Sequence, residues 1–206
     1  MAKRLLRGVY AITPDTQDTD TLLQMTEAAL SAGVACLQYR NKQADAALAL
    51  QQATALRDQC KQFNTPLIIN DDAELAVAIG ATGVHLGGDD ADVQATRERY
   101  GNDLLIGASC YNEMQRAERA CKAGADYVAF GAMFPSSTKP QALQASAELL
   151  TQARTLQVPV VAIGGITPDN GRAIVHAGAD LLAAIDGLFG QRDIAAAVRA
   201  YQLCFQ

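Results

Sequence analysis

The sequence predicts a (β/α)8 barrel, on three observations. Short, wholly apolar runs recur along the chain, and each ends in polar residues that a core would not tolerate unpaired. A small–Gly–small turn recurs at Gly33, Gly80, Gly124 and Gly178, at spacings of 47, 44 and 54 residues. Helix-like stretches separate the runs. A short apolar run is what a parallel strand buried on both faces looks like. Each glycine suits the left-handed residue that ends a helix before the next strand. Strict alternation with right-handed crossovers gives a parallel sheet. Each glycine period has room for two strand–helix units, and eight such units close into a barrel.

The elements follow in order. The first strand starts near Val9 and leads to a helix over Thr19 to Ser31, which opens on an acidic, cap-rich turn. The second starts near Ala35 and runs into Gln38-Tyr39-Arg40-Asn41-Lys42. The third starts near Pro66 and reaches Asn70-Asp71, and the fourth starts near Val84 and closes on His85-Leu86-Gly87-Gly88-Asp89-Asp90. The fifth starts near Leu104 and reaches Ser109. The sixth starts near Tyr127 and is followed by Gly131 and then Ser136-Ser137-Thr138-Lys139. The seventh starts near Val158 and reaches Gly164-Gly165, and the eighth starts near Leu181. Asp193 to Gln206 carries Ile194, Val198 and Tyr201 at helical spacing. The competing architecture is an open doubly wound sheet, but no GxGxxG follows the first strand.

Composition narrows the function. The chain has 206 residues, half of them hydrophobic, which suits a single barrel domain over residues 1–206. The net charge is −5 without a long basic run, which argues against nucleic acid as a partner. No apolar run is long enough to span a membrane or to serve as a signal peptide. The five cysteines, Cys36, Cys60, Cys110, Cys121 and Cys204, lack CxxC spacing and read as reduced thiols of a cytoplasmic protein.

The polar strand ends supply the candidate chemistry. Asn70-Asp71 reads either as a Mg²⁺-ligating strand end or as a helix N-cap; Asp71 can bind the ion while Asp72 caps. Asp89 and Asp90 add carboxylates from the next strand. His85, inside an apolar run, reads as a hydrogen-bonded structural residue rather than a base. Gln38, Arg40 and Lys42 alternate, so continued strand geometry would turn all three to one face, where Arg and Lys suit a pyrophosphate. The paired glycines before Ile166 can expose N–H groups to an anion, and the loop after the seventh strand is a usual phosphate cradle of this barrel. The hydroxyls of Ser136, Ser137 and Thr138, with Lys139, form a second such cluster.

As an ordered set these motifs resemble the thiamine-phosphate synthase family, a family of TIM barrels. The residues that carry the resemblance are Gln38 to Lys42, Ile69-Asn70-Asp71, Val84-His85-Leu86-Gly87 with Asp90, Ile106-Gly107-Ala108-Ser109, Phe134 to Lys139, and Ala162 to Ile166. The resemblance implies a Mg²⁺-dependent transferase that joins a hydroxymethylpyrimidine diphosphate to a thiazole phosphate and releases pyrophosphate. It implies that Gln38, Tyr39, Arg40, Asn41, Lys42 and Asn70 hold the pyrimidine diphosphate, and that Asp71 and Asp90 bind Mg²⁺. Ser109 and Lys139 would meet the pyrimidine diphosphate or the departing pyrophosphate; Arg40, Lys42 and Lys139 would offset its charge. Ser136, Ser137, Thr138 and Gly165 would contact the thiazole phosphate. Where the family often has a serine at that phosphate, this chain has Ile185-Asp186, whose backbone N–H groups are expected to make the contact with the carboxylate turned away.

Two other readings share the barrel. A thiazole tautomerase isomerises a thiazole carboxylate and needs no pyrophosphate site; Asp71, Asp90, Lys42 and Lys139 favour the synthase. A non-catalytic phosphate-ligand binding protein would bind without turnover. The sequence admits a homodimer without specifying one.

Overall fold

The computed structural model describes residues 7–87, 92–135 and 145–206. Eight strands pair in parallel, each with its sequence neighbours, and β8 pairs back to β1 to close the ring. They are β1 (Gly8–Ile12), β2 (Cys36–Tyr39), β3 (Leu67–Asn70), β4 (Gly83–Leu86), β5 (Leu105–Tyr111), β6 (Tyr127–Phe130), β7 (Val160–Ile163) and β8 (Leu181–Ala184). The helices are α1 (Thr19–Ser31), α2 (Ala46–Gln62), α3 (Ala73–Ile79), α4 (Val93–Tyr100), α5 (Met114–Lys122), α6 (Ala147–Ala153), α7 (Pro168–Ala177), α8 (Asp186–Phe189) and α9 (Ile194–Gln202). The (β/α)8 expectation holds, with strand starts within two residues of those read from sequence.

The glycine period has a physical cause. Gly33, Gly80, Gly124 and Gly178 all take positive φ, from 70° to 130°. The acids that follow two of these turns then seal the bottom of the barrel. Asp126 accepts the Ile106 N–H at 2.7 Å, and Asp180 accepts the Val160 N–H at 2.9 Å. At the opposite end, Asp18, Asp45, Asp72, Asp92 and Asp193 cap α1, α2, α3, α4 and α9. Each such cap is worth about 0.5–2 kcal/mol. Asp72, not Asp71, is the residue that caps α3.

Two apolar layers hold the fold together. Outward strand residues such as Val9, Leu37, Ile69, Val84, Ile106 and Val128 pack against the helices. Inward residues, among them Tyr10, Cys36, Ile68, Leu105, Tyr127, Val161 and Leu181, fill the barrel itself. Space inside is tight. A Cβ at Gly107 would fall 1.9 Å from Tyr127 Cζ, so the missing side chain on β5 is what admits the Tyr127 ring.

Two details differ from the sequence reading. The second strand stops at Tyr39, so its alternation does not carry through Lys42. A short helix, α8, also follows β8 directly; Leu188 and Phe189 give it a buried face too brief to show periodicity.

Candidate active site

The strand ends form one rim, and each side chain there is set by its strand parity. Gln38, Asn70, His85 and Ser109 share the inward parity of the barrel-filling residues. Gln38 and His85 are buried; Asn70 and Ser109 are half-buried at the mouth.

A continuous hydrogen-bonded chain crosses the barrel beneath this rim. Gln38 Nε2 donates to Tyr10 Oη at 2.7 Å, and Tyr10 Oη lies 2.9 Å from Tyr127 Oη. Tyr127 Oη lies 3.0 Å from His85 Nδ1, and His85 Nε2 lies 3.0 Å from Ser109 Oγ. The His85 and Tyr127 rings stack at a centroid separation of 5.5 Å. Burial pushes the His85 pKa down to about 4 and raises both tyrosines well above their usual value. All three rings are therefore neutral near pH 7, and His85 is a hydrogen-bonded structural residue, as its apolar setting indicated.

At the β3 end, Asp71 sits at φ 63°, a left-handed conformation that acids tolerate better than most residues. Its N–H donates to the His85 carbonyl at 2.8 Å. Its carboxylate accepts the Gly87 N–H at 2.9 Å and Asn70 Nδ2 at 2.6 Å, one bond on each oxygen. Each oxygen keeps lone-pair capacity, and a fixed carboxylate of this kind fits Mg²⁺, a hard cation that takes oxygen ligands. Asp90, the second expected ligand, lies outside the described residues, as do Ser136, Ser137, Thr138 and Lys139.

The Gln38–Lys42 segment divides by role. Thr13, fully buried, exchanges two hydrogen bonds with the Arg40 backbone: its hydroxyl donates to the Arg40 carbonyl at 3.0 Å and accepts the Arg40 N–H at 2.9 Å. The Arg40 guanidinium meets Asp15 at 3.1 Å, and Asp15 Oδ1 also accepts the Lys42 N–H at 3.0 Å. Asp15 thus pulls the chain out of strand geometry, which leaves the Lys42 side chain exposed. Tyr39 faces the helix layer, and its hydroxyl donates to Gln52 Oε1 at 2.9 Å. Asn41 Nδ2 donates to the Thr16 carbonyl at 2.6 Å and to Gln52. Tyr39 and Asn41 build the loop; Gln38 faces the barrel and Arg40 lies on its rim.

After β7, Gly164 and Gly165 take φ of 98° and 63°. The segment after β6 lies directly against them: the Met133 N–H donates to the Ile163 carbonyl and the Phe134 N–H to Gly164, both at 3.0 Å. A Cβ at Gly165 would fall 2.7 Å from the Pro135 carbonyl oxygen. Asn170 Nδ2 holds the Gly165 carbonyl at 3.1 Å. Ile185 caps α8, its side chain packs toward the barrel interior, and Asp186 is exposed at the start of the helix. Tyr201, from α9, passes beneath both loops and donates to the Ile166 carbonyl at 2.6 Å.

Sequence reasoning missed Tyr10, Thr13, Asp15 and Tyr127. A hydroxyl in mid-strand at the parity of Gln38 was the available signal for Tyr10. Cys110, beside Ser109, is buried, and burial raises its thiol to about 12, which leaves no thiolate to act as a nucleophile. Among the described residues, no helix is long and apolar enough to cross a membrane.

Chemistry collected at the carboxyl ends of parallel strands is how (β/α)8-barrel enzymes are built, and this chain is one of that class. The family described as thiamine monophosphate synthase matches residues 9–188. The thiamine-phosphate synthase of Methylobacillus flagellatus is 53% identical over 200 residues, covering 97% of this chain and 96% of that protein. Its counterpart in Xanthomonas campestris pv. campestris is 55% identical over 199 residues, again covering 97% and 96%. The solved thiamine phosphate pyrophosphorylase from Pyrococcus furiosus superposes with a TM-score of 0.86 at 30% identity, over 96% of this chain and 95% of that one. The chain belongs to the thiamine monophosphate synthase family.

Proposed function

We infer that this enzyme joins 4-amino-2-methyl-5-hydroxymethylpyrimidine diphosphate to 4-methyl-5-(2-phosphoethyl)thiazole, or to its carboxylate with loss of carbon dioxide, to give thiamine phosphate and pyrophosphate. Its identity of about half with thiamine-phosphate synthases, along nearly the whole chain, carries this conclusion. The rim geometry supports it. The pyrimidine ring stabilises the cation left when pyrophosphate departs, so no protein nucleophile is needed. The main barrier is charge building on the leaving group.

In this reading Gln38 and Ser109 orient the pyrimidine end from inside the barrel. Arg40 is already aimed by Asp15 and Thr13, and a diphosphate offers it a bidentate partner. Lys42 adds an exposed positive charge from the loop, and Lys139 would add a further one. Asp71 and Asp90 would hold Mg²⁺, which as a Lewis acid would offset charge on the diphosphate. Asn70 acts by holding the Asp71 carboxylate. Gly165, the first-turn N–H groups at Ile185 and Asp186, and the hydroxyls of Ser136, Ser137 and Thr138 would take the thiazole phosphate. The thiazole would wait on the open face of the cation with water excluded, since hydrolysis competes. The enzyme would work in the cytoplasm, and sedimentation would decide whether it does so as a homodimer.

Asp71→Asn tests the site. Asparagine keeps the side-chain shape and tolerates the left-handed backbone, so the fold should survive while Mg²⁺-dependent pyrophosphate release falls by about 10²-fold or more. Unchanged Mg²⁺ dependence would remove Asp71 from the metal. Release of pyrophosphate only with both substrates separates the synthase from the tautomerase and from a protein that binds without turnover.

A further inference from the structure

The interior chain Gln38–Tyr10–Tyr127–His85–Ser109 contains only one proton per link, and that restriction gives it a direction. Gln38 Nε2 donates to Tyr10. Tyr10 must then donate its single hydroxyl proton onward to Tyr127, because any other arrangement leaves a buried O–H without an acceptor. An orphaned buried donor loses its hydration with no bond to replace it. By the same logic Tyr127 donates to His85 Nδ1, so the imidazole proton resides on Nε2 and is donated to Ser109 Oγ. With its oxygen accepting from His85, the Ser109 hydroxyl keeps its own proton for the rim.

We infer that this chain is a polarised relay in which Gln38 sets the His85 tautomer and thereby the hydrogen-bonding character of Ser109 on the far side of the barrel. Tyr10, Tyr127 and His85 are positioning residues: they are buried beneath the rim and determine what the two ends offer. Among the described residues, Gln38 Oε1 receives no donor and the Ser109 hydroxyl has no second partner. The mouth therefore presents an acceptor on β2 and a donor on β5. For its polarity the relay rests on the orientation of the Gln38 amide, whose Nε2 faces Tyr10. Only the match of its ends, to the amino group and the ring nitrogens of an aminopyrimidine, rests on the function proposed above.

Two features of the barrel interior show that the chain is built rather than incidental. Gly107 has no side chain where Tyr127 must pass, with a would-be Cβ 1.9 Å from its ring. The stacked His85–Tyr127 and edge-on Tyr10–Tyr127 rings, with centroids 5.5 Å and 6.1 Å apart, hold the hydroxyls in line.

The test is ¹⁵N NMR of the histidine rings in ligand-free protein near pH 7. Only two histidines are present, and His176 is exposed on α7, so His176→Gln assigns the spectrum. The relay requires His85 with Nε2 protonated and Nδ1 bare; a protonated Nδ1 overturns it. Gln38→Glu should then reverse the whole chain once the introduced carboxylate ionises. An acceptor-only group at that position forces Tyr10, Tyr127 and His85 Nδ1 to donate toward it, so the protonated nitrogen switches from Nε2 to Nδ1. Spectra are taken up to about pH 9.5, above the range to which burial usually lifts a glutamate. A folded variant that still carries the proton on Nε2 there refutes the relay. Adding Tyr10→Phe to that variant should cancel the switch, and a switch that persists without the Tyr10 hydroxyl is equally fatal. If the variants do not fold, the wild-type spectrum still decides the polarity. Failure of any of these would leave the coupling reaction untouched.

Discussion

Replacing Gly187 by alanine should disturb the proposed thiazole-phosphate cradle from below, through Tyr201. The added Cβ would lie 2.2 Å from Tyr201 Oη and 3.3 Å from Cζ. Ordinary van der Waals contact lies near 3.5 Å or beyond, so the ring or the helix must move by roughly 1 Å. Tyr201 is fully buried, and its hydroxyl donates at 2.6 Å to the carbonyl of Ile166, the residue after Gly165. Overpacking of this kind costs about 1–3 kcal/mol, and leaving a buried polar group unpaired costs about 1–3 kcal/mol more. The expected loss is therefore about 2–6 kcal/mol in urea unfolding, together with a raised KM for the thiazole phosphate. The double variant Gly187→Ala/Tyr201→Phe removes the clashing oxygen and should recover at least half of the stability. A single variant within about 0.5 kcal/mol of wild type, or a double variant no more stable than the single, would refute the reasoning.

Two further outcomes follow from the same geometry. His85, with its pKa near 4 in the fold against about 6.5 in the unfolded chain, is protonated first in the unfolded state. Its neutral burial therefore adds stability that is full above about pH 6.5 and is lost as pH falls toward 4, by up to about 3 kcal/mol. The stability difference between wild type and His85→Gln should shrink across that window; a difference constant with pH removes the argument. Asp186→Ser takes an exposed carboxylate from beside the proposed phosphate site. Thiazole phosphate affinity should stay the same or rise by up to roughly fivefold, about 1 kcal/mol, and a large loss by calorimetry would mean that the carboxylate makes a needed contact.

The barrel was legible because its determinants are local. A glycine at positive φ, a short apolar run and an aspartate cap each act within a few residues, and their repetition counts the units. Asp71 and Gly165 were legible for the same reason, since a carboxylate or a glycine pair directly after an apolar strand falls on the rim of any parallel barrel. The direction of Arg40 and Lys42 was not legible, because the loop they enter is shaped by Asp15 and Thr13, residues from a different strand end. Tyr39 shows the limit from the other side: adjacency to Gln38 in sequence puts it on the opposite face, against Gln52.

The sequence by itself determined the eight-unit alternation, the rim on which chemistry collects and the family to which the motifs point, because each follows from short-range pattern. The tertiary structure alone decided that Tyr10 and Tyr127, 117 positions apart, share a hydrogen bond, and that Gly107 and Gly187 are empty so that two tyrosines can pass. Those contacts depend on which side chains meet across a closed ring, and closure joins residues whose separation along the chain carries no signal of it.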